Sequence, residues 1–170
     1  MKNIIALLTL IVAFCVSSGL AAADGTPAAD RTFGDWVLHC AKLSGGQEAC
    51  ALHQKIMARD TRLPVASIAL ARHDQSHELR LAAVLPLGLD IPAGVAGKAG
   101  STPLLLSVQT CVRRGCIAST TVSDSLLETL RGAGSLSITF KMRGVGEATT
   151  IPVSLKGLDE GLKALDTPRN

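Results

Sequence analysis

From Trp36 onward the chain alternates apolar and polar side chains in short runs, the period-two pattern of half-buried strands. Trp36, Leu38 and Cys40 share one face against Val37 and His39, and Cys50, Leu52 and Ile56 oppose Ala51, His53 and Lys55. Ala66, Ile68 and Leu70 follow Pro64. Leu79, Leu81, Ala83 and Leu85 follow the polar tip Asp74-Gln75-Ser76. Leu104, Leu106 and Val108 lead towards Cys111, and Ala118 and Val122 lie beyond Cys116. Leu136, Ile138, Phe140 and Met142 alternate with Ser135, Ser137, Thr139 and Lys141, and Ile151, Val153 and Leu155 close the series. Seven or eight strands separated by turn signals predict an all-β fold, an antiparallel β-sandwich or barrel-like domain.

Two stretches change period. Over about 124–131, Leu126, Leu127 and Leu130 recur at helical spacing, Ser125 and Glu128 stand at capping-box spacing, and Gly132 follows. Over about 158–165, Leu158, Leu162 and Leu165 line one side, with Asp159 and Glu160 early and Lys163 late, as the helix dipole favours. Both are expected to be short amphipathic helices lying against the sheets. Pro86 to Pro103, rich in Gly and Pro, is expected to be a broad irregular loop.

The first 23 residues read as a leader. Lys2 precedes the apolar run Ile4–Val16, Ser17, Ser18 and Gly19 break it, and Ala21-Ala22-Ala23 supplies a cleavage site. The run is too short for a spanning helix, so no membrane span is expected after cleavage. An acylated Cys15 is disfavoured by Phe14 directly before it. The expected organisation is a signal peptide over 1–23, a flexible arm over 24–31, one domain over 32–166 and a tail over 167–170.

Four cysteines then remain: Cys40, Cys50, Cys111 and Cys116. An even number in an exported chain reads as two disulfides, and of three possible pairings the short spacings favour the local one. Such bridges would contribute roughly 2.7 and 2.1 kcal/mol for loops of about ten and five residues. Composition narrows the function further. With 47% apolar and 18% charged residues the chain is not disordered, and its net charge of +3 gives no footing for nucleic acid. Phe14, Phe33, Trp36 and Phe140 are too few rings for base- or sugar-stacking platforms.

Each candidate for chemistry has a plainer reading. Gly94–Lys98 has Pro92 where a phosphate loop needs its first glycine, and Ala99 where it needs Ser or Thr. His73 and His77 flank a turn between strands, so their rings need not converge on a metal. His39 and His53 sit opposite their neighbouring cysteines, and a Cys/His zinc site would need free thiolates. Cys111 and Cys116 are four residues apart in between, not two, with Arg113 and Arg114 at the tip. That spacing suits a bridge closing a hairpin better than a redox motif. No G-x-S-x-G occurs. No catalytic residue, metal or cofactor is therefore assigned. The alternative is a periplasmic thiol–disulfide or metal-binding factor using Cys111/Cys116 or His73/His77.

Four motifs, in order, resemble one family. They are Phe33-Gly34-Asp35-Trp36 followed by Cys40 and Cys50; Leu85-Pro86-Leu87-Gly88-Leu89-Asp90-Ile91-Pro92-Ala93-Gly94-Val95; Cys111-x4-Cys116-Ile117-Ala118; and Pro152-Val153-Ser154-Leu155-Lys156-Gly157-Leu158. Together they are similar to the invasion-associated locus B family of exported bacterial proteins, over about Phe33 to Leu165. The chain departs from it in lacking tyrosines near the second cysteine pair and in its Gly/Ala-rich stretch after Val95. The resemblance implies a β-rich domain of the periplasm or cell surface, linked to host-cell invasion, and carries no catalytic residue to transfer.

Within these motifs Trp36 is expected to face inward beside Cys40, with Gly34 and Asp35 shaping the turn before it. The central segment reads first as a structural crossover and second as a rigid binding loop. On the second reading Leu87, Gly88 and Asp90, with Arg113 and Arg114 at the hairpin tip, are the candidate contact residues for a protein partner.

Overall fold

A computed structural model describes residues 29–167 apart from positions 44, 45, 59, 61, 62 and 74. The expected leader, the arm as far as residue 28, Asp74 and the tail from residue 168 lie outside the described residues.

The strands are β1 (Arg31–Phe33), β2 (Trp36–Lys42), β3 (Glu48–Met57), β4 (Pro64–Arg72), β5 (Leu79–Leu85), β6 (Val95–Ala99), β7 (Thr102–Val112), β8 (Gly115–Thr121), β9 (Leu136–Lys141) and β10 (Ala148–Val153). Helix α1 (Asp124–Gly132) joins β8 to β9, and α2 (Leu158–Leu165) follows β10. All neighbouring strands run antiparallel, in the order β1-β2-β3-β4-β5-β8-β7-β6-β9-β10. Among the described residues the sheet is not closed, because β1 and β10 end it without pairing to each other.

The sheet folds over at β7. Thr102–Leu106 pair with β6, and beyond them Ser107–Val112 pair with β8, with a register shift between Val108 and Thr110. One strand thereby serves two layers, and β10 comes to lie against β3. The predicted alternation sets the inner face. Leu79, Leu81, Ala83 and Leu85 of β5 are buried between half-buried neighbours, and Leu136, Ile138 and Phe140 of β9 repeat the pattern. Each fully buried Leu or Ile contributes about 1.5–3 kcal/mol, so these faces hold the layers together.

Helix α2 covers the inner face where the second layer stops. Leu158 and Leu162 are buried, and Gly161 lies so close to Leu52 that a β-carbon there would stand 2.8 Å from Leu52 Cδ2. Both disulfides link residues directly opposite in antiparallel pairs: Cys40–Cys50 across β2 and β3, Cys111–Cys116 across β7 and β8. Local pairing and the inward Trp36, which is fully buried beside Cys40, agree with the sequence reading.

Three expectations need correction. Pro86 to Pro103 is not a broad loop. It holds a 3-10 turn at Ile91–Ala93 and then β6, paired on both sides by β7 and β9. The inward residues of β6 are Val95, Gly97 and Ala99, too small to mark a strand. At Gly97 the lack of a side chain is required, because a β-carbon there would stand 2.8 Å from Leu104 Cγ. Arg31 is the first residue of β1 rather than the end of an arm. Helix α1 is capped by Ser123, whose Oγ accepts from Leu126 N–H at 3.3 Å, and not by Ser125. Glu128 pairs with Arg131 instead of reaching back to a cap. With β1 and β6 added, the strands among the described residues number ten.

Candidate functional site

The first and last family-like motifs meet in space. The β1–β2 turn at Gly34-Asp35 locks into the turn at Lys156-Gly157. Asp35 N–H donates to the Lys156 carbonyl at 3.1 Å, and Ser154 Oγ donates to Asp35 Oδ2 at 2.6 Å. A β-carbon on Gly157 would lie 2.1 Å from the Phe33 carbonyl oxygen, and one on Gly34 would lie 2.5 Å from the Lys156 carbonyl oxygen. Both glycines also take positive φ, +82° and +56°. Only glycine satisfies both demands. Trp36 Nε1 and Gln54 Nε2 each donate to the Ser154 carbonyl at 3.0 Å, and Gln54 Oε1 accepts from Ser154 N–H at 2.9 Å. This junction is structural, since its polar groups are spent on one another.

The histidines share a shallow groove of about 740 Å³, which His39, His53, His73 and His77 all border. The rings of His39 and His73 are engaged. His39 Nδ1 lies 2.6 Å from Asp30 Oδ1, and His73 Nδ1 accepts from Ser76 N–H at 3.4 Å. His53 sits on the outer face of β3 and is half-buried. Burial, then the neighbouring His39, lowers its pKa, against an opposing pull from Asp30. Arg72 crosses the groove wall to Asp166 at 2.8 and 2.9 Å, and that hydrogen bond holds its charge. Among the described residues, one set of three side chains brings possible metal-ligating atoms within 4.8 Å of one another: Cys40, Glu48 and Cys50. Its two sulfurs are bonded to each other, and so offer no thiolate.

The Gly94–Lys98 stretch resembling a phosphate loop is mostly β6, an interior strand with neighbours on both sides. The Cys111–Cys116 hairpin holds Arg113 and Arg114 exposed at its tip, with Cys116 buried beneath. Gly115 is fixed there because a β-carbon would lie 2.3 Å from the Leu85 carbonyl oxygen.

The central segment is laced to the β9–β10 hairpin. Leu89 forms an isolated bridge with Met142, Arg143 N–H donates to the Gly88 carbonyl, and Asp90 N–H donates to the Lys141 carbonyl, both at 2.8 Å. This is the crossover geometry, with Leu89 buried. It leaves Leu87 and Gly88 exposed and Asp90 half-exposed. Because Leu85 pairs with Cys116, Leu87 and the Arg113-Arg114 tip leave the sheet at the same end.

That end carries more than the sequence indicated. Eight large apolar side chains are exposed among the described residues. Six of them lie at this end: Met57, Leu63, Leu87, Ile91, Val112 and Val145. Between the β3–β4 turn and β10 lies a groove of about 420 Å³, lined by Met57, Val65, Phe140, Met142 and Ile151 among others. Sequence reasoning missed this groove and Gln54. The signal for Gln54 was present, as a polar residue on the inward series of Cys50, Leu52 and Ile56. A buried amide demands partners.

The model of the family described as "Invasion associated locus B (IalB) protein" matches residues 36–166. Among solved structures, the crystal structure of invasion associated protein B from Bartonella henselae is similar, with a TM-score of 0.72 and 20% sequence identity. The likeness covers 81% of this chain and 95% of that chain, and at that identity it is a likeness of fold. No curated protein matches the chain.

Proposed function

The chain belongs to the invasion associated locus B family, and on that premise we propose that it is an exported, non-enzymatic domain of the bacterial cell envelope that binds a protein partner. The observation that carries this reading is the apolar end. Six of the eight large apolar side chains exposed among the described residues lie at this one end, and one of these, Met57, lines the groove; an exposed apolar patch of that kind marks an interaction site. The candidate loop Leu87, Gly88 and Asp90 and the Arg113-Arg114 tip flank that cluster on segments pinned by backbone hydrogen bonds and a disulfide. A rigid frame lowers the cost of ordering a contact surface.

Export is supported by the leader sequence and by four cysteines joined in two bridges, a state suited to an oxidising compartment. Among the described residues no helix is long and apolar enough to cross a membrane. A non-enzymatic role is supported by the engagement of the cysteines and of the His39 and His73 rings described above. The family's description supports including a part in host-cell invasion in this proposal.

The test is photo-crosslinking in the native bacterium with p-benzoylphenylalanine at Leu87 or Val145. Discrete protein adducts at these positions, absent at the exposed Leu105 away from this end, are expected. Equal labelling at all three positions, or none at Leu87 and Val145, overturns the reading. Protease shaving of intact cells then separates a surface partner from a periplasmic one.

A further inference from the structure

Strand β10 presents an open edge beside the apolar groove. It is the last strand in the order, and among the described residues no strand pairs along its outer side. Just past β10, at Ser154, the side chains of Gln54 and Trp36 seal the seam towards the first layer. Upstream of that seal Ala148, Thr149 and Thr150 are exposed, and the groove opens between them and the β3–β4 turn. Pro152 has no N–H to donate, which confines the usable edge to Ala148–Ile151.

We propose that this edge and groove together take an extended segment of a partner protein, added as an eleventh strand along Ala148–Ile151. This rests on the binding-domain reading and names the form in which the partner binds. An open strand edge is a row of backbone donors and acceptors that another strand satisfies. A helix or an acyl chain lying in the groove would leave that row unused. In an added strand, side chains point alternately to the two faces, so every second one enters the groove against Met57, Val65 and Met142. The recognised segment therefore alternates apolar and polar residues over at least four positions.

The experiment uses the full chain in its own bacterium, with p-benzoylphenylalanine placed singly at Met57 and at Leu87, and sequencing of each crosslinked peptide by mass spectrometry. The expected Met57 adduct maps to one partner segment of alternating apolar and polar residues. Of Thr149→Pro and Thr150→Pro, the one that removes an outward N–H lowers the Met57 adduct at least tenfold and spares the Leu87 adduct. Circular dichroism confirms that the variant is folded. If the proline variants do not fold, Met57 is left native and the label moves to Val65. Loss of that adduct in Met57→Arg, which blocks the groove, then tests the same point. An adduct at Leu87 with none at Met57 overturns the added strand and leaves the binding reading standing. A Met57 adduct on a helical or non-alternating segment also overturns it. Absence of adducts at both positions overturns both.

Discussion

The side-chain amide of Gln54 pairs with the backbone of Ser154 as another strand would, donating to its carbonyl and accepting from its N–H. Gln54 is 5% exposed, on a face otherwise filled by apolar side chains. A primary amide reproduces the donor and acceptor of a peptide group, so it continues the hydrogen bonding just where β10 ends. The cost of burying it is offset because both functional atoms are satisfied.

Gln54→Leu keeps the volume and removes both bonds. Ser154 N–H is then left without its partner, while the carbonyl keeps the Trp36 indole. The expected loss is about 2–3 kcal/mol, read from urea denaturation. Hydrogen exchange at Ser154 should accelerate. A change below about 0.5 kcal/mol would show that water replaces the amide.

Gly157→Ala drives a β-carbon into the Phe33 carbonyl from a backbone with positive φ. The expected loss is at least about 3 kcal/mol, and Gly34→Ala should behave alike because it strikes the same junction from the other side. Gly146→Ala, with open space around it, is the control and should change stability by less than about 0.5 kcal/mol. Thermal melts of the three variants separate the cases.

Removing each bridge as a Cys→Ser pair should cost about 2.7 kcal/mol for Cys40/Cys50 and about 2.1 kcal/mol for Cys111/Cys116. If the second pair is structural, the Cys111→Ser/Cys116→Ser chain retains the Leu87 crosslink, and the native protein does not reduce insulin. Turnover of insulin by the native protein, lost in that variant, would instead establish thiol–disulfide exchange.

The pKa of His53 is lowered in the folded state, chiefly by burial. The unfolded chain therefore binds more protons than the native one as pH falls below about 6.5. Stability from this group is complete above that pH and is lost on acidification until the folded-state pKa is passed. Across pH 5 to 7.5 the melting temperature of the native protein should fall more steeply towards acid than that of His53→Gln. Parallel slopes would remove His53 from the pH response.

Much of the fold was legible because strand alternation is local. β5 was read at its full extent, Leu79–Leu85, since each inward residue is large and apolar. The helix read over 158–165 has the bounds of α2, and that over 124–131 stops one residue short of α1. The two disulfides follow from cysteines close in sequence. Of the candidate site, the position of Leu87 and the Arg113-Arg114 tip could be named, but not their common end. That neighbourhood depends on Leu85 pairing with Cys116, a contact between separate runs.

What the sequence by itself determined is which residues face inward within each strand, where the helices lie and which cysteines are near enough to bond. These are properties of a few consecutive residues, set by side-chain period and chain length. Only the tertiary structure decided that Val95–Ala99 is a strand, that Gly34 and Gly157 interlock, that Gln54 closes a seam and that a groove opens beside β10. In each case the deciding partner is remote in the chain: Leu104 and Ile138 over Gly97, Phe33 against Gly157, Ser154 beside Gln54. Small residues and a lone amide carry little local signal. Their meaning comes from the space that distant backbone leaves them.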